Sequence, residues 1–497
     1  MGDSGLGEGS GSVHEEGTCR VQRIAAYPRV EVSADGTGVV SHVGSRLLAD
    51  VAAAAGLPEV FDEAAGGRRK RCSAHAPGRV LSDLAVLLAD GGQTITDLAV
   101  LRHQPGLFGP VASTATAWRV LDSVDDTVLA GLIRARAQAR ERAWLLRAEA
   151  GRPVPMVSCG GVEVPGLVID FDASLVTCHS EKQGTASTFK KGYGYHPLLV
   201  WLDNTSEALA GMLRPGNAGS NTAADHIRLT DEAFAQVPDA ELHGQPILVR
   251  CDGAGATKEW LAHLRSFRDQ RGLDVRFSVG FTVSNQVKDA IAVLPEAVWA
   301  TAVDATGTPR PVDETGLPVA QLAELTGLLP GLTAAGWPAG MRVLVRRERP
   351  HPGAQISVFE AHDGWRYQCV ATDTDRGQLP FLEARHRAHA HVEDRVKAIK
   401  HTGMGRFPSR EFPINAVWLQ LALTAADLIA WTQTILLDGV LAKVEIKQLR
   451  YRLLHTAARI VRGQRKVRIR IDTSWPWAEQ LAAAFTRLAA IRQPLIT

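Results

Sequence analysis

The run GLVIDFDASLVTC at 166 to 178 constrains this chain more than any other, because apolar and β-branched residues alternate in it with two aspartates. A strand sends successive side chains to opposite faces, so Val168, Asp170 and Asp172 share one face and Leu167, Ile169 and Phe171 the other. Two more strand patterns follow, YHPLLVWLD at 195 to 203 and residues 208 to 213. Residues 221 to 237 have a polar start, helical spacing and a proline just after them, which reads as a helix. A short apolar strand, PILVRC at 246 to 251, ends at Asp252; a helix at 257 to 270 and a fifth strand at 275 to 283 complete the set. Strands interleaved with helices predict an α/β arrangement rather than an all-α or all-β one.

The remaining texture differs on either side. With 497 residues the chain is too long for one core. Residues 1 to 20 are Gly/Ser-rich and read as a disordered tail. They lack the apolar core of a signal peptide. From 21 to 150 the apolar spacing is helical, and the segment from Ser113 to Arg119 opens one helix whose N-terminus suits a DNA groove, against the plainer reading of a helical bundle. A turn-rich linker, GRPVPM at 151 to 156, precedes the α/β part at 157 to 283. Residues 284 to 380, rich in Pro and Gly with strand-like runs RVLVRRE, QISVFE and WRYQCVAT, read as a mainly β insertion. Helices return at 381 to 440, and a basic tail at 441 to 497 is expected to be helical. The most apolar stretch, 417 to 437, is interrupted by Gln420, Asp427 and Gln433 and reads as a buried core helix rather than a membrane span.

A net charge of +2 leaves no general excess of cations, so any binding of nucleic acid needs clustered ones. Four clusters exist: Arg68, Arg69, Lys70 and Arg71; Arg134, Arg136, Arg140 and Arg142; Arg342, Arg346, Arg347 and Arg349; and Arg462, Arg465, Lys466, Arg468 and Arg470. A charge run is more often a solvated face than a phosphate contact. The six scattered cysteines form no C-x-x-C pair, which speaks against zinc and for reduced thiols in a cytoplasm.

The acids carry the chemistry. Asp252 stands at the carboxyl end of its strand, the edge where ligands gather in open α/β sheets. Carboxylates on neighbouring strands repel unless a cation lies between them, which invites a hard divalent metal. Much later, Glu393, Lys397 and Lys400 lie at helical spacing on one face, so a carboxylate that binds metal has lysines behind it for a phosphate. The pattern suits two-metal phosphodiester chemistry. Taken singly, an aspartate at a strand end is usually a cap and Glu393 with Lys397 a surface ion pair.

The order strand, strand, strand, helix, strand, with an acid on the first and fourth strands, resembles the ribonuclease H-like fold, and the β insertion before the last acidic helix resembles bacterial insertion-sequence transposases. The segment KKGYGYHPLLVWLDNTSEALAGMLRPGNAGSNTAADHI at 190 to 227 is similar to the stretch between the first two acids of transposases with a DDE domain of group 1. The resemblance covers about 160 to 440. It implies an α/β, ribonuclease H-like catalytic core in two parts, with an N-terminal all-α DNA-binding region and a β-rich insertion domain. The first acid falls on Asp172, in the context Asp172-Ala173-Ser174, with Asp170 as competitor; the second on Asp252 in RCDGAG; the third on Glu393, with Lys400 at the family's Glu, six residues, Lys spacing. Where related families carry Tyr and Arg upstream of that Glu, this chain has His386 and His389. Lys190, Lys191, Arg214 and Asn217 read as DNA backbone contacts, the last two equally as residues that tie a turn; Lys397, Lys400 and Arg119 join them. Trp299 is the candidate to stack on an unpaired base, against a buried role.

The resemblance further implies two Mg²⁺ ions per active site, with Mn²⁺ able to substitute, and as partners double-stranded DNA, both terminal inverted repeats and target. It implies a homodimer or larger assembly in the bacterial nucleoid, cutting and joining strands without a membrane. The alternatives are a ribonuclease H-like nuclease that cuts without joining, and a catalytically silent DNA-binding regulator.

Overall fold

The computed structural model describes residues 30–66, 74–178, 181–314, 316–351, 353–354, 357–463 and 466–491. The Gly/Ser-rich start, Cys19, Cys72, the cluster Arg68 to Arg71, and Arg465 lie outside the described residues. The chain enters through a short strand β1 (Val39–Val40) and five helices: α1 (Val43–Ala54), α2 (Leu57–Ala64), α3 (Pro77–Asp90), α4 (Thr114–Asp122) and α5 (Asp126–Glu149). Local chemistry sets their ends. Pro77 sits in the first turn of α3, where its missing N–H leaves no bond unmade, and Gly91 stops the helix at φ 118°. Ser113 caps α4, and Asp125 caps α5 by accepting from Val128 N at 2.9 Å.

The central sheet is built from β2 (Leu167–Ala173), β3 (Leu198–Leu202), β4 (Glu207–Met212), β5 (Ile247–Cys251), β6 (Val275–Phe281), β7 (Ala300–Thr301), β8 (Ala320–Glu324), β9 (Arg342–Glu348) and β10 (Arg366–Thr372). Its order is β7-β8-β9-β10-β6-β5-β2-β3-β4. Within it, β5 runs parallel to β2 and β6, while β3 and β4 are antiparallel neighbours. The five-strand part β4-β3-β2-β5-β6 is the ribonuclease H-like arrangement. The strands of the 284 to 380 region extend this same sheet, because β10 pairs antiparallel with β6. QISVFE, read as strand-like, lies partly outside the described residues and then runs into a short helix at Val358–Asp363, since Ser357 and Glu360 form a capping box.

Helices cover both faces. Leu167, Ile169 and Phe171 pack against α6 (Ala223–Phe234) and α7 (Lys258–Arg271), with Leu229, Trp260 and Leu264 in the same core. Each such fully buried side chain contributes roughly 1.5–3 kcal/mol. On the other side α8 (Leu379–Arg387), α9 (His391–Ile399) and α10 (Phe412–Trp431) return to the sheet. The helix Phe412–Leu436 is long and apolar enough to span a bilayer by composition, yet 78% of its apolar window is buried inside the protein. It meets α3 and α5 in one large core that also takes Leu481, Ala484 and Leu488 of the last helix.

The tail at 441 to 497 corrects the expectation of helix throughout. It forms a hairpin, β11 (Ala458–Gly463) and β12 (Lys466–Ile471), before α11 (Ala478–Ile491). The reason is visible in KVRIRI, whose cation and β-branched alternation has the period of a strand. Two basic clusters are also corrected, the first only in part, since Arg134 and Arg142 stay exposed. Arg136 and Arg140 are buried and paired with Asp427 and Glu207. Arg342, Arg346, Arg347 and Arg349 each meet a carboxylate, Glu324, Glu383, Glu296 and Asp313 respectively.

Candidate active site

The register of two parallel strands brings the first two acids together. Cys251 of β5 pairs with Phe171 of β2, so the next residues, Asp252 and Asp172, leave neighbouring strands side by side. Adjacent strands lie about 4.8 Å apart. Ala254 N donates to Asp252 Oδ1 at 2.9 Å, which fixes the turn. Gly280 on β6 makes room for that turn: a Cβ there would meet Gly253 N at 2.6 Å. Asp170, the competitor for the first acid, is fully buried and receives Arg250 Nε and Nη2 at 2.7 and 2.8 Å. It is committed to that pair, whereas Asp172, one pleat further on, faces the strand-end cleft.

Glu393 lies exposed on α9, and its charge reaches Asp172. Burial pushes the Asp172 carboxyl up to about 6, His389 opposes this, and the negative charges of Asp252 and Glu393 add to it. An ion network fixes α9 against the sheet: Asp203, just past β3, accepts from Arg395, from Arg250 Nη2 at 2.6 Å and lies 3.4 Å from His391 Nδ1. His389 donates from Nε2 to the Phe171 carbonyl at 2.9 Å, beside the first acid. His386 is half-buried with Nδ1 3.1 Å from Ser278 Oγ, and desolvation pushes its pKa down to about 3. Lys400 is half-buried and electrostatically coupled to Asp172 and Lys190, with burial lowering its pKa. Lys397 instead pairs with Glu445 at 3.6 Å. The surface partner is therefore Glu445 and not Glu393, the one the helical spacing suggested.

A cleft of about 360 Å³ opens at the strand ends, lined among others by Asp172, Asp252, Phe189, His196, Asn221 and His226. Lys190 and Lys191 sit on the turn between the short strands Ala186–Ser187 and Tyr193–Tyr195, Lys191 with φ 59°. Phe189 beside them is 71% exposed at the cleft mouth. Sequence reasoning passed over it, although an apolar residue directly before two lysines was a signal. His226 was also missed; its Nδ1 bonds the Thr222 carbonyl and its buried Nε2 has no hydrogen-bond partner among the described residues.

Other expected contacts separate. Arg214 is buried, donating to the His196 carbonyl at 3.0 Å, to the Gly219 carbonyl and to Asp225 at 3.0 Å. It ties the loop and does not reach solvent, which corrects its assignment to DNA. Asn217 is exposed in that loop, and Arg119 is exposed on α4, bonded to its own helix. Trp299 is corrected as well: it is 9% exposed and carries the Arg347 guanidinium 4.2 Å from its ring centre. A ring so covered has no free face for a base.

Asp172, whose proton affinity the charges of Asp252 and Glu393 raise, makes with them an oxygen donor set of the kind hard divalent cations neutralise. Among the described residues, the one His/Cys/Asp/Glu trio with ligand atoms all within 4.8 Å is a different one, His42, Asp90 and His455. There Asp90 accepts from His42, Ser45 and His455, which with the His charges hold it far below the usual carboxylate range against the opposing pull of burial.

A family model described as transposase DDE domain group 1 matches residues 22–493. No curated protein matches. Among solved structures, the cryo-EM structure of a piggyBac transposase synaptic complex with hairpin DNA is similar at a TM-score of 0.39 and 10% identity, over 83% of this chain and 79% of that one.

Proposed function

Because the chain belongs to the transposase DDE domain group 1 family, we propose that it binds the terminal inverted repeats of an insertion sequence and catalyses strand cleavage and strand transfer. The observation that carries this is the register that sets Asp172 and Asp252 side by side at the cleft, with Glu393 within electrostatic reach. Asp172, Asp252 and Glu393 would hold two Mg²⁺ ions, with Mn²⁺ as a substitute. When bound, the ions supply activation of the attacking oxygen and stabilisation of the leaving one.

The chain's own residues do the rest. Lys400 and Lys190 neutralise the phosphates flanking the scissile one, and Lys191 and Asn217 extend that contact along the strand. His389, hydrogen-bonded to the backbone beside Asp172, orients that edge of the site. Working on both element ends and a target, the protein would act as a homodimer or larger assembly on DNA in the bacterial cytoplasm.

Labelled inverted-repeat ends incubated with the protein and Mg²⁺ test the reading. Joined products that vanish with EDTA or in Asp252→Ala, while DNA binding persists, are the expected result. Cutting without joining would replace the transposase with a nuclease, and binding alone would make the protein a regulator.

A further inference from the structure

Of the four basic clusters in the sequence, one lies outside the described residues, the Arg342 to Arg349 cluster is paired internally with carboxylates, and the Arg134 to Arg142 cluster is half so, through Arg136 and Arg140. The fourth is different. In the β11–β12 hairpin Arg459 pairs with Arg470, Val461 with Arg468 and Gly463 with Lys466. Cross-strand partners share a face, so Arg459, Lys466, Arg468 and Arg470 project together, all exposed. The opposite face carries Ile460, Ile469 and Ile471, which pack on the large helical core. Among the described residues none of these four cations takes part in an ion pair, although most other arginines do. Like charges directly opposite one another weaken a strand pair. Arg459 opposite Arg470 is thus a standing cost with no internal counter-charge.

We infer that the β11–β12 ribbon is a DNA-binding surface that grips the phosphate backbone of a duplex through Arg459, Lys466, Arg468 and Arg470. The major groove admits a two-stranded ribbon of this width, and a bound polyanion turns the four-cation repulsion into attraction. The ribbon is also firmly mounted: β1, from the N-terminal region, pairs with β11, Val39 against Arg459, and the isoleucine face anchors it on the helices. A loose, charged tail would lose more entropy on binding than this preformed strand pair. The inference rests on the transposase reading for its choice of DNA, but it uses residues remote in sequence from the three acids.

The test measures binding of the full-length protein to a short fluorescein-labelled DNA duplex of arbitrary sequence by anisotropy across a sodium chloride series. Each phosphate contact adds about 0.9 to the slope of log K against log salt. The triple variant Arg459→Ala, Arg468→Ala, Arg470→Ala is expected to flatten that slope by roughly 2 to 3 and to lose about tenfold or more in affinity at physiological salt. The triple Arg→Lys variant keeps the slope, since charge and not fork geometry is required. Should the alanine triple unfold, Arg468→Gln alone is expected to lower the slope by about 0.9. An unchanged slope in a folded variant, or a wild-type protein that does not bind duplex, overturns the inference. If element ends are still cut while the slope is unmoved, the ribbon assignment falls and the catalytic reading stands; a ribbon-dependent slope without cutting separates them the other way.

Discussion

Asp170 and Asp172 carry the same group on the same strand face, and only their neighbours distinguish them. One meets a guanidinium inside the sheet and the other meets two carboxylates at its edge. The chemistry of the cleft therefore depends on positions that carry no charge at all. Gly280 is one, because its missing Cβ lets the Asp252 turn lie against β6. Gly280→Ala is expected to cut strand cleavage at least about tenfold while leaving duplex binding intact, as a displacement of about 1 Å at a reacting group costs on that order or more. Unchanged cleavage would show that the turn tolerates the shift. His386 gives a second test at this scale. Its folded pKa of about 3 lies below the ordinary value of 6.5, so its neutral burial contributes stability that is present above about pH 6.5 and is lost as pH falls from there toward 3. Urea titrations should show the wild type losing about 2 kcal/mol more than His386→Leu between pH 7 and 5. Parallel pH profiles would refute the assignment.

At the scale of elements, α9 matters because it delivers Glu393, and beside the buried Val392, Val396 and Ile399 its position depends on polar ties to the sheet. Arg395 and His391 both turn back to Asp203, which burial opposes but His391, Arg395 and Arg250 hold far below the usual carboxylate range. Arg395→Ala removes one of these ties. The expected outcome is a loss of about 1–3 kcal/mol in stability together with a drop in cleavage that added Mg²⁺ partly restores, since the ion itself would draw the three acids together. Most elements of this kind were legible in the residues: strand period two in LVIDFDA, caps at Ser113, and the acid at the end of PILVRC. Of the insertion's strands, β9 and β10 were legible in RVLVRRE and WRYQCVAT but not as members of the central sheet, because pairing partners nearly a hundred residues apart leave no local pattern. Trp299 and Arg214 failed for a related reason. Whether an aromatic or a guanidinium faces water depends on partners such as Arg347 and Asp225, which spacing alone does not reveal.

Across the whole molecule the two ends of the chain close on the catalytic sheet through one buried charge cluster. Asp427 of α10 receives Arg136 and Arg140 of α5 at 2.9 and 2.6 Å and accepts from the Ala208 amide of β4 at 2.9 Å. Glu207, next to it, takes Arg140 and the indoles of Trp144 and Trp431. N-terminal helix, sheet edge and late core helix thus meet at a single site where all partners are buried. Removing one member leaves the others charged and dry, a change that costs about 3–5 kcal/mol in buried pairs. Asp427→Ala is accordingly expected to lower the unfolding free energy measured by urea titration by that amount, and to do so in one transition for the helical region and the sheet, because the cluster belongs to both. The cation ribbon and the acid cleft would then lose function together on heating. A variant that unfolds in two steps, with the sheet retaining wild-type stability, would mean that the helices and the catalytic sheet are energetically separate despite their shared cluster.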